Sequence, residues 1–571
     1  MEPAFKHYYY MLENLVCVKS FGMISILEDC TEISVSLFRL LFKIVNNDHS
    51  VKVKTFMLDL LCYFITDIVS HQLLEVLEIV FDNFLHPIMT QRKIKNAYNL
   101  AKELVMKTKD TLEPFIHQFL DRAFDSNKCD SRWNTSRVYH LLYELSLICP
   151  DVLTAVLPRL TCKLESTEKT ERMGCVALLT RMFSEKNSKL AMDHRELWQT
   201  FLERFSDISV DIRLKCVKNT FHFITNHPEL VGDITEKLKV QHRDSEETVR
   251  YEIVFALVSI VRKDVDLVSK YEDLVNIVME RSLDKKFKIR KEAMTGLAMI
   301  YNGHHSKLPG VSMVTKTTAR KIINKILHGY NLPDIKDKLL IESLFNLYLV
   351  PQYLEPESRM KRLYFIFATI DENASKAFIS MMQMQMQIRK AYRELVSIHK
   401  HAQLEECSPD VAMKESIVTK FLPEPSKAIE FIKKLSQHLT QDEHMLSLME
   451  KLTELEVSCQ DTLEAVEGIL KKLGTPSCGN LYYVTVKQLL ERMCSVTVDK
   501  EAIQLLVKIV QEAVNSRRVM EQFEFDPDIG GERGMRLLIV LSFMYPYHFL
   551  TRQVVQELLI ILDNCQTQVI I

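Results

Sequence analysis

Apolar residues recur at helical spacing along most of this chain, and the polar residues that head those runs fall into a longer period. After Arg250 the apolar side chains come at Ile253, Leu257 and Ile260; after Arg290 they come at Ala293, Leu297 and Ile300. The same polar pair stands at the head of each run. Asp207 precedes Arg213 by six positions, Asp244 precedes Arg250 by six, and Asp284 precedes Arg290 by six. The three arginines lie 37 and 40 residues apart. Weaker matches extend the series backwards through Lys54, Lys95, Arg137 and Arg172, at successive spacings of 41, 42, 35 and 41 up to Arg213. The pattern predicts a tandem array of two-helix units in which the basic residue opens each inner helix.

A period of this size belongs to HEAT and armadillo solenoids. The predicted fold class is therefore all-α, a HEAT-repeat superhelical solenoid. A single unit cannot bury its own apolar face, so neighbours stack into a continuous core and present long grooves to partners, which is the design of a scaffold.

In chain order, Tyr8, Leu12, Leu15 and Val18 share one helical face, and Thr31, with Ser34 beyond it, opens a helix over Ile33 to Val45 that Asn46 and Asn47 close. The chain is expected to start inside the solenoid. After Tyr301 the repeat is expected to break at Gly303, Pro309 and Gly310, in a solvated loop that holds His304 and His305. Adjacent histidines do not easily serve one tetrahedral ion, and no cysteine or carboxylate pair stands at ligand spacing nearby, so no metal is expected. Residues 316 to 330 predict a helix with Lys316, Arg320, Lys321 and Lys325 on one side and Ile322, Ile323, Ile326 and Leu327 on the other. A longer helix is predicted from Asn373 to His401. Within it Met381, Met382, Met384 and Met386 alternate with glutamines, a period that puts only some of them on one face, as gap-filling core.

Polar breaks at Ser408 to Glu415 and Gly474 to Asn480 bracket helices over Lys427 to Leu439 and Met445 to Leu473, which together read as a helical insertion projecting from the solenoid. Repeats resume at Leu481 and run through Val540, with a loop from Asp526 to Gly534. The expected organisation is amino-terminal repeats over 1–301, basic repeats and a loop over 302–372, the projection over 373–480, and resumed repeats over 481–571.

Composition fits packed helices: 47% hydrophobic residues with only 13 Gly and 16 Pro in 571 positions. None of the 13 cysteines forms a Cys-x-x-Cys pair and no signal-peptide pattern opens the chain, so reduced, intracellular thiols are expected. The longest apolar run, Leu537 to Tyr547, is interrupted by Pro546 and is shorter than the roughly 20 residues a membrane span needs. Net charge is −2, against a chain that coats nucleic acid along its length. Between Arg281 and Lys338, however, 13 Lys and Arg face four Asp and Glu, a local excess of +9. There is no nucleophile elbow, no Gly-rich phosphate loop and no His-Glu-x-x-His helix, so no enzyme is expected.

The stretches YYYMLENLVCVKSF (Tyr8 to Phe21), LEDC (Leu27 to Cys30), LFRLLFKIVNN (Leu37 to Asn47), SLDKKFKIRKEAMTGLAMIY (Ser282 to Tyr301), LPDIKDKLLIESLFNLYLVP (Leu332 to Pro351) and FLPEPSKAIEFIKKL (Phe421 to Leu435) resemble the precocious-dissociation-of-sisters family, HEAT-repeat regulators of cohesin. The likeness runs through nearly the whole chain. It implies a nuclear, chromatin-associated scaffold that binds the kleisin subunit of cohesin and controls sister chromatid cohesion. By this resemblance the kleisin contact falls at Arg359, Lys361 and Tyr364 and, on the following helix, at Arg389, Arg393 and Glu394. Read from the residues alone, the same positions are a solvated, mixed-charge helix face. The family also holds inositol hexakisphosphate where this chain is most basic, which implies a structural ligand at Lys285, Lys288, Arg290, Lys291, Arg320, Lys321, Lys325, Lys336 and Lys338. From the residues, a positive pocket between stacked repeats and a patch facing DNA both stay open, and with them the alternative of a nucleic-acid-binding solenoid. Arg290 is expected to serve an Asp/Arg ladder within its own repeat. The family's Ala-Pro-acidic-Ala-Pro stretch, which docks release and protection factors, has no counterpart in these residues, so that docking is not expected of them.

Overall fold

The computed structural model describes residues 31–47, 51–67, 70–85, 92–124, 133–266, 270–305, 313–401, 409–477, 479–494, 497–515 and 527–569. The matched stretches over Tyr8 to Phe21 and Leu27 to Cys30 lie outside them, as do Pro309 and Gly310. Every regular element among the described residues is helical, and the chain divides into two compact units, Met1–Lys237 and Leu238–Ile571.

In the first unit, helices such as Thr135–Ile148 and Lys169–Ser184 stack as successive inner helices. Their contact is close because Gly174 lies beneath the Tyr139 ring, where a Cβ would come within 2.6 Å of Cε2. Trp198, Phe183, Phe201 and Phe223 form a buried aromatic cluster, with the Phe183 and Trp198 rings 4.9 Å apart and edge to face, a geometry that adds to the area they bury. The Trp198 Nε1–H donates to Asp233 at 2.9 Å, so burying the indole strands no donor.

In the second unit the repeat continues through Glu247–Lys263, Glu272–Arg281, Phe287–His305, Met313–His328 and Ile335–Leu344. The inner helices Glu247–Lys263 and Phe287–His305 approach at Gly296, where a Cβ would stand 2.4 Å from Val258 Cγ2. Phe287–His305 passes through Gly303 and ends at His305, so the helix carries both histidines and the break comes later than the glycine suggested. Gly303 sits inside the helix, with Val265 in the space beside it. Ile335–Leu344 ends in a π-turn over Phe345–Leu349, and Pro356–Thr369 follows.

The long helix is Glu372–His401. Its first half buries Ala374, Ala377 and Phe378, with Phe378 against Phe345 and Phe367, and its second half joins a separate core cluster that runs from Ile388 to Cys494. Met381 and Met382 are buried, Met384 is half-buried and Met386 reaches solvent. The projection is made of Pro409–Thr419, Pro425–Gln441, Glu443–Thr453 and Cys459–Lys472. Three expectations are corrected. Ser408 to Glu415 is not a break over its whole length, because Pro409 sits where its fixed φ starts a helix. Met445 to Leu473 is two helices, because Ser458 caps a new one by accepting from the Asp461 N–H at 3.0 Å. The stretch from Pro527 to Gly534 is the start of the helix Pro527–Met544, not a loop. Helix Leu481–Met493, expected among the resumed repeats, contributes Tyr482, Val486, Leu489, Leu490 and Met493 to the projection's core.

Candidate functional site

The Asp/Arg pairs join successive turns, and the basic residues cluster around the last of them. Arg250 donates from Nε and Nη2 to the two carboxylate oxygens of Asp284, at 2.8 and 3.2 Å, and from Nη1 to the carbonyls of Asp244 and Ser245, both at 2.9 Å. Arg290 does the same with Asp337, at 2.8 and 2.6 Å, and with the carbonyls of Asp284 and Lys285. In the first unit Arg172 holds Asp207 in this way, at 2.9 and 3.1 Å. The ladder therefore runs between repeats: each arginine holds its own turn by backbone carbonyls and the next turn by a carboxylate. This corrects the expectation of pairing within a repeat, since an aspartate six residues earlier offers the arginine its carbonyl and keeps its side chain for the preceding arginine.

Burial alone would raise the carboxyl of Asp284. The Arg250 guanidinium and the Lys286 N–H, which donates at 3.0 Å, override it and hold the group below the ordinary carboxylate range. Asp207 is held low against burial by Arg172 and the Ser209 N–H. The hydrogen bond to Asp337 holds Arg290 above the ordinary arginine range despite its burial.

The structure distributes seven of the nine basic residues over three places. Lys285, Lys288 and Lys291 are exposed at the start of Phe287–His305, where Lys288 Nζ lies 3.8 Å from the centre of the Tyr251 ring. Lys321 and Lys325 line an open hollow with Asn276, Met279, Glu280, Asn324 and His328, and Lys321 reaches Glu272 at 3.2 Å. Lys336 and Lys338 stand in the first turn of Ile335–Leu344, Lys336 3.5 Å from Glu424 and Lys338 5.6 Å from the centre of the Tyr330 ring. Arg320 is half-buried on Met313–His328. Arg290 does not face a ligand, because four of its N–H bonds are committed to Asp337 and two carbonyls. Lys286 meets Glu247 at 2.6 Å, so with Glu272 and Glu424 three carboxylates from outside the basic stretch offset part of its sequence excess. Cationic side chains at a helix start also oppose the macrodipole, which an anion seated there would relieve.

The second set is more internal than a partner-facing helix would be. Tyr364 is 3% exposed and lies over Gly534, and burial pushes its phenol up to about 12. Arg359 is 5% exposed and adds its positive field to that of two backbone N–H groups in keeping Asp499 low, against burial. Arg389 donates to the Glu454 carbonyl and Arg393 to the Thr453 carbonyl, so both cap the end of Glu443–Thr453. Glu394 accepts from Lys414. Lys361 is the exposed member, paired with Glu357 one turn away at 2.6 Å.

A family model for the sister chromatid cohesion protein PDS5 matches residues 1–570. The chain belongs to the PDS5 family. It is 39% identical over 563 residues to PDS5 homolog A of Gallus gallus and 38% identical over 563 residues to PDS5 homolog A of Homo sapiens, in each case over 98% of this chain. It spans 42% and 41% of those relatives' own lengths. A chain of the solved Pds5–Scc1 complex superposes with a TM-score of 0.74 at 17% identity, over 94% of this chain and 80% of that one. That likeness establishes the solenoid fold.

Two features of this PDS5-family chain escaped the spacing argument. Arg492 holds Glu342 side-on and donates to the Phe421 carbonyl, joining the end of the projection to the repeat beneath it. Arg362, buried between Tyr348 and Asn302, stands between Lys361 and Tyr364, but only its hydrogen bonds distinguish it.

Proposed function

We propose that this chain is a scaffold that binds the kleisin subunit of cohesin and so controls how long the ring stays closed on sister chromatids, in the nucleus and on chromatin. The observation that carries the reading is the PDS5 family model running over the full solenoid and its projection, residues 1–570. The solved relative with the same fold is a Pds5–Scc1 complex. Tyr364 and Arg359 act from beneath, shaping the helix Pro356–Thr369, while Lys361 and the rim of Glu372–His401 meet the partner. The test is co-elution of the purified chain with recombinant kleisin. A complex at micromolar concentration is expected, weakened by Lys361→Glu with helicity unchanged, and separate elution of the two proteins would sink the reading.

Supporting the cohesin role, inositol hexakisphosphate seats on the basic repeats. The phosphates meet the Lys321 and Lys325 hollow, and Arg290 positions the neighbouring turn without touching the ligand. A compact polyanion suits this arrangement because each phosphate takes several charge-assisted hydrogen bonds. Duplex nucleic acid needs a continuous basic track, and here Glu247, Glu272 and Glu424 interrupt one.

A further inference from the structure

Among the described residues, Arg172, Arg250, Arg290 and Arg492 share one arrangement. Each donates from Nη1 to a backbone carbonyl and from the Nε and Nη2 edge to both oxygens of a carboxylate. Side-on pairing of this kind is the strongest and most directional contact a guanidinium makes. Arg362 has one half of it. Its Nη1 donates to the Asn302 side-chain oxygen at 2.7 Å and to the Tyr348 carbonyl at 3.2 Å. No acceptor among the described residues meets Nε or Nη2.

The side chain is nonetheless 4% exposed, and among the described residues its guanidinium has the Tyr301 ring, 6.0 Å from the ring centre, but no carboxylate paired with it. A buried cation without a counter-ion is costly, and folds keep one where a partner supplies the charge. The surroundings suit a docked peptide. Tyr353, 70% exposed, accepts from the Asn302 Nδ2–H at 3.4 Å, which puts an open aromatic ring beside the guanidinium's own acceptor. Leu347, 49% exposed, lies in the π-turn whose Tyr348 carbonyl holds Arg362. Irregular helical turns of this kind are frequent at functional sites.

We propose that Arg362 is the anchor for an aspartate or glutamate side chain of the bound partner, taken side-on by Nε and Nη2, with Tyr353 and Leu347 covering the apolar residues next to it. The proposal rests on the kleisin reading above and adds the chemistry of the contact: the kleisin segment must carry an acidic residue flanked by apolar ones. Arg362→Lys is not conservative here, because an ammonium cannot form the paired geometry.

The experiment uses the whole chain and overlapping synthetic peptides tiled along the kleisin subunit. The tightest peptide is resynthesised with each Asp or Glu changed in turn to Asn or Gln, and binding is measured to wild type, Arg362→Gln, Arg362→Lys and Tyr353→Ala. One acidic position is expected to matter. Neutralising it weakens binding to wild type at least tenfold and binding to Arg362→Gln hardly at all, and Arg362→Lys behaves like Arg362→Gln. Tyr353→Ala, which removes a ring that is 70% exposed, is expected to weaken binding several-fold with helicity unchanged. If every acidic position costs the same in wild type and Arg362→Gln, or if only a phosphorylated peptide couples to Arg362, the anchor is wrong while the kleisin reading stands. If no peptide binds wild type, the kleisin reading fails and the anchor falls with it.

Discussion

Arg492 holds Glu342 side-on, 2.8 Å from each carboxylate oxygen, across 150 residues of chain. The Tyr330 hydroxyl donates to the same carboxylate at 2.9 Å. Burial alone would lower the Arg492 guanidinium, and Glu342 overrides it, so the arginine stays charged inside the protein. The contact ties Leu481–Met493, which packs into the projection's core, to Ile335–Leu344 of a basic repeat.

Breaking this pair from one side leaves a buried guanidinium without a counter-ion. Glu342→Ala is expected to cost about 3–5 kcal/mol, the range for severing a buried ion pair. The double variant Glu342→Leu with Arg492→Met removes both charges and is expected to recover most of the loss. Denaturant unfolding of the three proteins checks this, and a single variant as stable as wild type would show that the pair contributes little.

The ladder makes a prediction about acid. The carboxyls of Asp207 and Asp284 are held below their ordinary value in the folded chain, so the unfolded chain binds more protons as pH falls. Their contribution is fully present above the unfolded carboxyl pKa of about 3.9 and is lost as pH drops through the lower folded value. Asp284→Asn is expected to lower the thermal midpoint at pH 7 and to flatten the decline below about pH 4. Parallel curves for variant and wild type in acid would mean that Asp284 is not protonated on unfolding.

The repeat was legible because Asp and Arg six residues apart are a local pattern. The partner of each arginine was not, because Arg172, Arg250 and Arg290 reach aspartates 35, 34 and 47 residues on, distances set by the loops between helices. Glycine misled the reading twice. Gly303 and Gly534 look like helix breakers in sequence, yet each sits inside a helix, where Val265 and Tyr364 take the space a side chain would fill. The candidate partner residues were named by resemblance. The burial of Tyr364 and Arg359 could not be read from a stretch in which basic and apolar residues are mixed, because the later helices Lys500–Asn515 and Pro527–Met544 cover it.

Gly296 gives a packing prediction of its own. A Cβ there would come within 2.4 Å of Val258 Cγ2, on a buried β-branched side chain with little rotameric freedom in a helix. Gly296→Ala is expected to lower stability by about 1–3 kcal/mol through overpacking, outweighing the roughly 1 kcal/mol that alanine gains in helix propensity. In a Val258→Ala background the clash is gone, and the same substitution is expected to raise the melting midpoint. An unchanged sign in that background would place the cost elsewhere.

The last prediction concerns the basic repeats with and without a polyanion. Lys321 and Lys325 share one hollow with His328, whose ring lies 2.9 Å from Asp371, and with Glu280, whose carboxylate is already held by His242 and Arg243, so a phosphate entering there meets two lysines beside one neutralised carboxylate. The exposed pair of Lys321 with Glu272 is worth about 0–1 kcal/mol, less than the charge-assisted bonds that replace it. If inositol hexakisphosphate binds the folded chain alone, a concentration one hundred times its dissociation constant adds about 2.7 kcal/mol to stability. Thermal unfolding is measured on ligand-stripped wild type and on Lys321→Glu with Lys325→Glu, each with and without inositol hexakisphosphate, and with sulfate at the same ionic strength. A rise in midpoint for wild type with inositol hexakisphosphate alone is expected. An equal rise with sulfate would point to general screening of the basic repeats, and no rise in wild type would remove the ligand from this surface. A rise that survives in the double variant would move the ligand to Lys285, Lys288 and Lys291, where the helix start and three exposed lysines offer the next site for an anion.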